Sequence, residues 1–410
     1  MLNKNWYKLD NVGKFYSSIA DKEYQQVFRY SITLKDKIEE SLLQKALENT
    51  IEIFESFNVN LKKGLFWYYL EETNKKYKVT PENLPICFKI YNSSSDFLYR
   101  VTFYNKRINF EISHILSDGR GSIEFFKTLV NNYLKLKYNI EIDPNTVSSS
   151  IEKSEDSFAK YYKKTKNTSE NISNIYLYKG QKHLNKTRYL EAHLPVNEII
   201  NLAHKENATL TSLLVSVLIY SMKDVMSESE LKKNIKIDIP VDLRQYFKSF
   251  SSKNYFGLAS VTYKFNSRED TLEDVITSVN NQFKKNLTPE ELIKRVNKMV
   301  AFERNILCRI TPIFLKNIAL KIINFFSNRM STSCVSNIGK IEFSESASSY
   351  IENVNILTST PSFQITICSF ENDLSIGISS KYKYNEIIKN FCKYFSKQGI
   401  KMTINVSEVD

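Results

Sequence analysis

Apolar and polar positions divide the first third of the chain into predicted strands and helices. Five segments carry the alternating or continuous apolar patterns of strands, namely 27–34, 65–70, 86–91, 97–104 and 107–113. Apolar residues at helical spacing predict two helices, over 38–54 and 122–137. A strand that ends at 113, followed by a short loop and a helix, indicates an α/β arrangement.

A polar segment over 142–185, rich in Ser, Lys and Asn, separates this part from the rest. We predict a crossover linker there, with one short helix from about Phe158 to Tyr162. Beyond it, predicted helices cover 196–205, 209–222, 271–284, 290–303, 313–327 and 385–397, and predicted strands cover 187–194, 235–239, 332–337, 363–369, 373–380 and a segment after Phe256. The pattern therefore predicts an N-terminal lobe over 1–180 and a C-terminal lobe over 181–410, both α/β sandwiches.

The composition is that of a globular protein with a basic balance. Of the 410 residues, 42% are hydrophobic and 25% are charged, which excludes wholesale disorder. The formal net charge of +12 favours anionic partners: nucleic acid, anionic lipid, a phosphate-bearing ligand or an acidic carrier protein. Five scattered cysteines indicate reduced thiols, and the sequence has neither a membrane-spanning apolar run nor a signal peptide. We therefore expect a cytoplasmic protein without a transmembrane segment.

Several classes of site are disfavoured because their motifs are missing from the sequence. There is no Walker-type or GxGxxG phosphate loop, which argues against a nucleotide hydrolase or a dinucleotide enzyme. His183, His193 and His204 have no second ligand at metal-binding spacing, so we predict no metal site. The basic residues do not form an RRM or zinc-finger pattern, so we expect no nucleic-acid partner.

Glycine is scarce and marks three short polar clusters at predicted strand ends. Only nine occur in 410 residues, so we expect them where the backbone approaches a neighbour closely or adopts an unusual conformation. The first cluster runs from His114 through Asp118 to Gly119. A neutral imidazole at His114 would suit removal of a proton from a hydroxyl or an amine. A buried histidine bonded to a backbone carbonyl is the alternative interpretation.

The second cluster lies within 239–247 and 254–257. Arg244 is a candidate partner for Asp118, because a buried carboxylate without a cation is costly. A surface residue at a strand exit is the alternative interpretation of Arg244. We expect Asn254 and Gly257 to form a tight turn that lines the site rather than to contact substrate.

The third cluster lies within 331–341. Ser333 and Ser336 are candidate donors to an oxyanion, and Asn337 and Gly339 are candidate turn residues beside them. An Asx-type turn that only reverses the chain is the alternative.

The spacing His114-x3-Asp118-Gly119, between a predicted strand and a helix, resembles the HxxxDG signature of one acyltransferase superfamily. That superfamily contains chloramphenicol acetyltransferase, plant BAHD acyltransferases and the condensation domains of peptide synthetases. The segments 61–72, 239–247, 254–257 and 336–340 extend the likeness along the chain, which looks most similar to bacterial alcohol-acetyltransferase-like condensation proteins.

The resemblance implies two chloramphenicol-acetyltransferase-like lobes that form a V around a central channel. His114 would be the general base that helps an alcohol or amine attack an acyl thioester of CoA or of a carrier protein's phosphopantetheine arm. Asp118 would hold the loop through Arg244, Gly119 would allow close packing, and no cofactor would be bound permanently. Condensation domains usually carry two consecutive histidines at the start of this motif. In this chain the first of the two positions is Ser113, which favours a stand-alone acyltransferase.

Two other functions remain as alternatives. One is a non-catalytic member of the family that binds a carrier protein or a ligand without turnover; the intact His114, Asp118 and Gly119 argue against it. The other is a basic protein that binds nucleic acid or a membrane surface, which would bind polyanions in a strongly salt-dependent manner.

Overall fold

The computed structural model describes residues 5–21, 25–142, 157–162, 173–183 and 186–407. Its helices are α1 (Asn11–Ile19), α2 (Glu40–Ile53), α3 (Gly119–Tyr138), α4 (Ser157–Tyr161), α5 (Val196–Lys205), α6 (Leu210–Lys223), α7 (Glu228–Leu231), α8 (Leu272–Asn286), α9 (Pro289–Arg304), α10 (Ile306–Ile310), α11 (Ile313–Ser327), α12 (Glu345–Ser348) and α13 (Glu386–Lys397). Its strands are β1 (Trp6–Lys8), β2 (Val27–Leu34), β3 (Val59–Lys63), β4 (Tyr68–Glu72), β5 (Thr80–Pro81), β6 (Tyr99–Tyr104), β7 (Arg107–Ser113), β8 (Arg188–Pro195), β9 (Ile235–Asp242), β10 (Phe256–Tyr263), β11 (Ser333–Lys340), β12 (Ile351–Thr358), β13 (Phe363–Phe370), β14 (Asp373–Ser380) and β15 (Thr403–Val406).

The first part of the chain builds a five-stranded sheet in the order β12-β2-β7-β6-β5, beside a small sheet of β1, β4 and β3. Helices α2 and α3 pack against the larger sheet, because their apolar residues join those of the strands in one buried cluster. Phe125 and Phe126 of α3 stack on Phe110 of β7. This packing fixes α3 relative to the end of β7, which is the connection that carries His114.

The second large sheet has seven strands in the order β10-β9-β11-β13-β14-β8-β15. β11 runs parallel to β9 and β13, and the other neighbouring strands are antiparallel. Helix α6 is apolar almost throughout and is buried with α8 and α13 against this sheet. The predicted helix 313–327 and the predicted strand 373–380 are confirmed residue for residue.

Strand β12 connects the two large sheets. It comes from the second half of the chain, yet it pairs antiparallel with β2 at the edge of the five-stranded sheet. Thr366 Oγ1 of β13 donates a hydrogen bond of 2.5 Å to the carbonyl of Ile356, and Gly377 of β14 leaves room for the same carbonyl. The local pattern predicts no strand over 351–358. Because β12 pairs with β2, the five-stranded sheet contains residues from both sides of the predicted boundary between 180 and 181. Strand β12 therefore joins the sheet of the first part of the chain, and the division into 1–180 and 181–410 stays a prediction.

The predicted strand over 86–91 is wrong as well. Cys87 has a φ of 53°, a left-handed conformation that a strand does not tolerate. Its N–H donates to the carboxylate of Glu111, and the N–H of Ile90 donates to the side chain of Gln25. Side-chain acceptors therefore replace the ladder that a neighbouring strand would supply.

Most of the predicted linker over 142–185 lies outside the described residues. The short helix predicted near Phe158 is present as α4. Its Phe158 is buried and packs edge to face on Tyr255, with the ring centroids 5.3 Å apart. Helix α4 thus covers the segment 254–257, which the next subsection places beside His114.

Candidate active site

His114 is presented by a tight connection between β7 and α3. The strand ends at Ser113, and the backbone N–H of His114 still donates to the carbonyl of Gln26, 2.8 Å away, as a continuation of the pairing with β2. Four residues later, Asp118 caps α3 by accepting a hydrogen bond of 2.7 Å from the N–H of Gly121. The pairing on one side and the cap on the other fix both ends of the loop.

Asn254 holds the His114 imidazole. Its Oδ1 lies 2.8 Å from Nδ1 of His114, while its Nδ2 donates to the carbonyl of His114 at 3.1 Å. Nδ2 also donates to both carboxylate oxygens of Asp10, at 3.2 and 3.0 Å, and the backbone N–H of Asn254 donates to the same carboxylate. Asp10 in turn is the N-cap of α1. The chain from Asp10 through Asn254 therefore fixes the orientation of the histidine ring.

This network also determines which nitrogen of His114 carries the proton. An amide has one acceptor oxygen, and Nδ2 of Asn254 already faces only acceptors, so its Oδ1 must accept from His114. Nδ1 is then the N–H of the neutral imidazole, and Nε2 keeps the lone pair. A base needs a lone pair on the nitrogen that is not used for positioning.

Aromatic rings surround the imidazole. The ring centroids of Tyr16, Phe28 and Phe256 lie 4.9, 5.1 and 5.5 Å from that of His114. Burial lowers the pKa of His114 below its ordinary value, although the hydrogen bond with Asn254 and the charge of Asp118 act in the opposite direction. The ring is therefore neutral at neutral pH, in the form that can accept a proton.

Asp118 is directed into the protein, where it accepts from three donors. Besides the N–H of Gly121, its carboxylate accepts from the N–H of Tyr255 at 2.6 Å and from Nη1 of Arg244 at 3.0 Å. The side chain is only 5% exposed. With its acceptors used in this way, Asp118 ties the start of α3 to the segment that carries Asn254.

Arg244 links this segment further. Its Nη1 also contacts Asp242 at 3.0 Å, and its remaining N–H groups donate to the carbonyls of Ser251 and Lys253. A planar fork with several donors suits this arrangement, which a lysine cannot reproduce. The structure thus brings together Asp118 and Arg244, which the sequence analysis paired, and excludes a surface role for Arg244.

The closest backbone approach in this loop occurs at Gly121. A Cβ on Gly121 would overlap the backbone carbonyl of Ser252 and crowd Oγ of Ser117. A Cβ on Gly119 would meet only the flexible end of the Ile338 side chain, at 2.8 Å. The sequence predicts close packing at Gly119, but the position that leaves no space for a Cβ is Gly121.

The second cluster differs from the expectation at two positions. Asn254 is a buried hydrogen-bonding partner of the histidine rather than a residue that only shapes a turn. Gly257 lies within β10, paired with Val241 of β9, and not in a turn. Space for its Cβ is limited by Leu243 at 3.3 Å, so the residue packs against the core.

The third cluster lies on β11. Ser333 donates to the carbonyl of Phe363 at 3.0 Å, which commits its hydroxyl to the sheet and excludes it as an oxyanion donor. Asn337 donates to Thr211 of α6 and accepts from the N–H of Gly339, whose φ is +86°. Asn337 and Gly339 therefore form an Asx-type turn at a β-bulge.

Ser336 is placed differently from its neighbours. Cys334 and Ser336 share one face of β11, because side chains alternate along a strand. Cys334 is near Tyr16, whose pKa is raised by burial and then by the Cys334 thiol, and the Tyr16 ring packs on His114. The end of the Ile338 side chain lies next to Gly119. Ser336 thus lies between Cys334, which is near Tyr16, and Ile338, which is near Gly119. Within the described ranges, its hydroxyl has no hydrogen-bonding partner.

Two components of the site were missed in the sequence, namely Asp10 and Tyr16. An Asp followed three residues later by Gly is too common a helix start to single out. Among the residues that the structure describes, no cluster of three potential ligands for a metal is found, and no helix is both long and apolar enough to cross a membrane.

Neither a family model nor a curated protein matches the sequence. Solved structures do match. Trichothecene 15-O-acetyltransferase TRI3 from Fusarium sporotrichioides superposes with a TM-score of 0.63 at 10% identity, over 95% of this chain and 94% of that chain. TRI101 from F. graminearum, solved with coenzyme A and T-2 mycotoxin, gives 0.67 at 9% identity over 97% and 99%. The starter condensation domain of rhizomide synthetase RzmA gives 0.58 at 10% identity over 96% and 95%.

The chain has the fold that these acetyltransferases and this condensation domain share. The predicted resemblance and the predicted mixed α/β class are thereby confirmed. Identities of 9 and 10% establish this condensation fold and no more, so the chemistry of the present chain has to be argued from its own residues. In that fold, the His114 loop at the end of β7 is a place where buried polar side chains meet, among them Asp10, Asp118 and Asn254.

Proposed function

We propose that the protein is an acyltransferase that moves an acyl group from a thioester to an alcohol or amine, with His114 as general base. The observation that carries this proposal is the contact of 2.8 Å between Nδ1 of His114 and Oδ1 of Asn254, from which we infer that Nδ1 is the N–H and that the lone pair is on Nε2. A histidine that served packing alone would not need a buried carboxylate and amide to select its tautomer. The condensation fold, which acetyltransferases share, supports the same chemistry.

With an alcohol as the acceptor, acyl transfer begins with removal of the hydroxyl proton. Nε2 of His114 removes the hydroxyl proton while the oxygen attacks the thioester carbonyl, and a tetrahedral oxyanion forms. The oxyanion collapses, the carbon–sulfur bond breaks, and the proton on Nε2 passes to the leaving sulfur, so that free thiol and ester result. The imidazole returns to its neutral form, which its lowered pKa favours.

Ser336 is the proposed donor to the oxyanion. It lies on the face of β11 that reaches Tyr16 and Gly119, and its hydroxyl is not committed to another group of the described chain. A hydroxyl aimed at the developing charge is worth about 2.7–4 kcal/mol in comparable sites. Ser336→Ala should therefore lower kcat by about a hundredfold or more, whereas Ser333→Ala should leave it nearly unchanged.

The donor class is proposed from chemistry and from the relatives. TRI101 was solved with coenzyme A, and the net charge of +12 suits either the CoA phosphates or an acidic carrier protein. Donor and acceptor are proposed to reach His114 through a channel between the two lobes. Asp118 and Arg244 would act there as positioning residues, because they hold the loop and do not face the reacting atoms.

The test is thioester turnover with a panel of acyl-CoA donors and pooled alcohols and amines, followed by release of free thiol. Wild type and a His204→Ala control, in which an exposed histidine at the end of α5 is removed, should release thiol when an acceptor is present. His114→Ala should be at least about a hundredfold slower. Equal rates for the two alanine variants would refute the role of His114.

A negative result with CoA donors leads to acyl-loaded carrier proteins in the same assay. Transfer from these, lost in His114→Ala, would identify the donor as a carrier protein. Binding of a loaded carrier without turnover by any variant would instead support the alternative, a non-catalytic binding member of the family.

A further inference from the structure

Helix α11 has its apolar and charged sides reversed. Its inward residues are Ile313, Lys316 and Leu320, so a lysine occupies the buried side and is only 3% exposed. Apart from Lys321, the large exposed side chains of the helix are apolar: Phe314, Leu315, Ile318, Ile322, Ile323, Phe325 and Phe326. At 3.6 residues per turn they cover about half of the helix circumference. A helix in contact with water alone would carry polar residues on that side.

The inward side of α11 is fixed by specific contacts. Lys316 donates to the carbonyl of Phe66 at 2.8 Å, and its ammonium lies 3.3 Å from the ring centroid of Trp67. The N–H of Ile313 donates to the carbonyl of Leu65, and Asn317 donates to the hydroxyl of Tyr68. These contacts join α11 to the hairpin of β3 and β4. The helix is therefore docked in this orientation, with its apolar side outward.

The exposed apolar surface continues beyond α11. Helix α10 adds Ile306, Leu307 and Ile310, the hairpin tip adds Leu65 and Phe66, and Met330 follows α11. We call this set, together with the outward residues of α11, the anchor face. It exceeds the scattered single apolar residues that are normal on a soluble surface, and such continuous patches mark interaction sites.

The exposed charged side chains along 305–331 have one sign. Residues 305–331 contain no Asp or Glu, and the exposed charged residues among them are Arg309, Lys321 and Arg329. Lys63 is exposed at the neighbouring hairpin tip. An apolar surface bordered by cations complements a bilayer that combines acyl chains with anionic headgroups.

We propose that the anchor face binds the surface of an anionic phospholipid bilayer and lies in its interface without crossing it. The surface is the outward side of a helix, and such an apolar helix side suits insertion among acyl chains. A second copy is less favourable, because a two-fold contact would bring the same basic residues of both chains together without a compensating acid. An acidic partner protein would match the charges but not the breadth of apolar surface.

This proposal goes beyond acyl transfer and does not depend on it. Membrane binding and acyl transfer are compatible in one chain, because the anchor face shares no residue with the His114 site. The two sites are nevertheless neighbours: α11 packs on α1, and α1 carries Tyr16, which contacts His114. Because the anchor residues are exposed and none of them belongs to the His114 site, their variants should leave the fold and the network around His114 intact.

The experiment is flotation of the full chain with vesicles of phosphatidylcholine alone or mixed with phosphatidylglycerol, at low and high salt. Wild type should float with the mixed vesicles at low salt. The double variant Phe314→Glu with Ile318→Glu, two positions that are each 58% exposed, should bind at least about tenfold more weakly. Leu84→Glu with Phe88→Glu is the matched control, because it places the same two charges on exposed apolar residues outside the anchor face and should bind like wild type.

The charge contribution is tested by Lys321→Gln with Arg329→Gln. Each basic residue near an anionic surface is worth about fivefold, so this pair should bind the mixed vesicles about 25-fold more weakly. Thermal unfolding of each variant verifies that the fold is kept. The proposal is overturned if wild type ignores both kinds of vesicle, if the glutamate pair binds like wild type, or if the face instead supports a dimer or captures an acidic carrier protein while vesicles stay unbound.

Discussion

Replacing Asn254 by leucine tests the positioning of His114 most sharply. Leucine has the branched shape of asparagine and the same number of side-chain heavy atoms, but it is bulkier and cannot form hydrogen bonds. The change removes the acceptor 2.8 Å from Nδ1 of His114 and the donor to the carbonyl of the same residue. It also leaves the buried carboxylate of Asp10 without the side-chain N–H of Asn254.

The magnitude follows from these lost bonds. Leaving a buried polar group without its partner costs about 1–3 kcal/mol. If that cost falls on the orientation of the imidazole in the transition state, kcat decreases about 5- to 150-fold, at 1.4 kcal/mol per tenfold change. The hydrogen bond with Asn254 raises the pKa of His114, so its loss lowers that pKa further. The acid limb of the pH–rate profile should therefore move to lower pH.

The assay is the pH dependence of acyl transfer for Asn254→Leu, with unfolding by denaturant measured in parallel. Asn60→Leu is the matched control, because Asn60 is also a buried amide, which donates to the carbonyl of Asp96 far from His114. The control should lose stability but keep its pH profile. An unchanged pH profile and kcat in Asn254→Leu would refute the proposed positioning, since lost stability alone cannot move an acid limb.

Three further predictions follow from the site. Arg244→Met leaves its buried carboxylate partner unpaired and should cost about 3–5 kcal/mol of the free energy of unfolding, whereas Lys106→Met, in an exposed pair, should cost less than about 1 kcal/mol. Gly121→Ala forces a Cβ into a backbone carbonyl and should cost about 1–3 kcal/mol, while Gly119→Ala should be nearly neutral by thermal melting. Because the pKa of His114 is lowered from 6.5 in the folded state, the unfolded state binds the proton more readily. The contribution of His114 to the free energy of unfolding, and kcat, should therefore be at their full values above pH 6.5 and decrease as the pH falls below it. An acid limb of the pH–rate profile centred above pH 6.5 would contradict the lowering of this pKa by burial.

Local patterns predicted most of the elements, and they failed where long-range contacts decide the conformation. In β12, Asn355 is buried and accepts a hydrogen bond from Ser375, and together with Glu352 and Asn353 it breaks the apolar pattern by which a strand is predicted. At Cys87 the apolar run suggested a strand, but Glu111 and Gln25 capture the backbone donors. Neither compensating partner is near in sequence, so no window of local pattern contains it.

The candidate site shows the same division. His114 and Asp118 lie four residues apart, and their spacing alone indicates a loop at a strand end. Asp10 and Asn254 lie 244 residues apart, and their bond exists only because the start of α1 and the segment before β10 meet beside β7. The choice of tautomer at His114 depends on that meeting, and it therefore had to come from the structure.

The most direct measurement of acyl transfer follows an isotopic label rather than thiol release, because hydrolysis also releases thiol. Wild type is incubated with a thioester labelled in its acyl group and with an acceptor, and the product is analysed by mass spectrometry. The account predicts labelled ester or amide from wild type and at least about a hundredfold less from His114→Ala. Label that appears only as free acid, or equal product from both proteins, would contradict the claim that His114 activates an acceptor for acyl transfer.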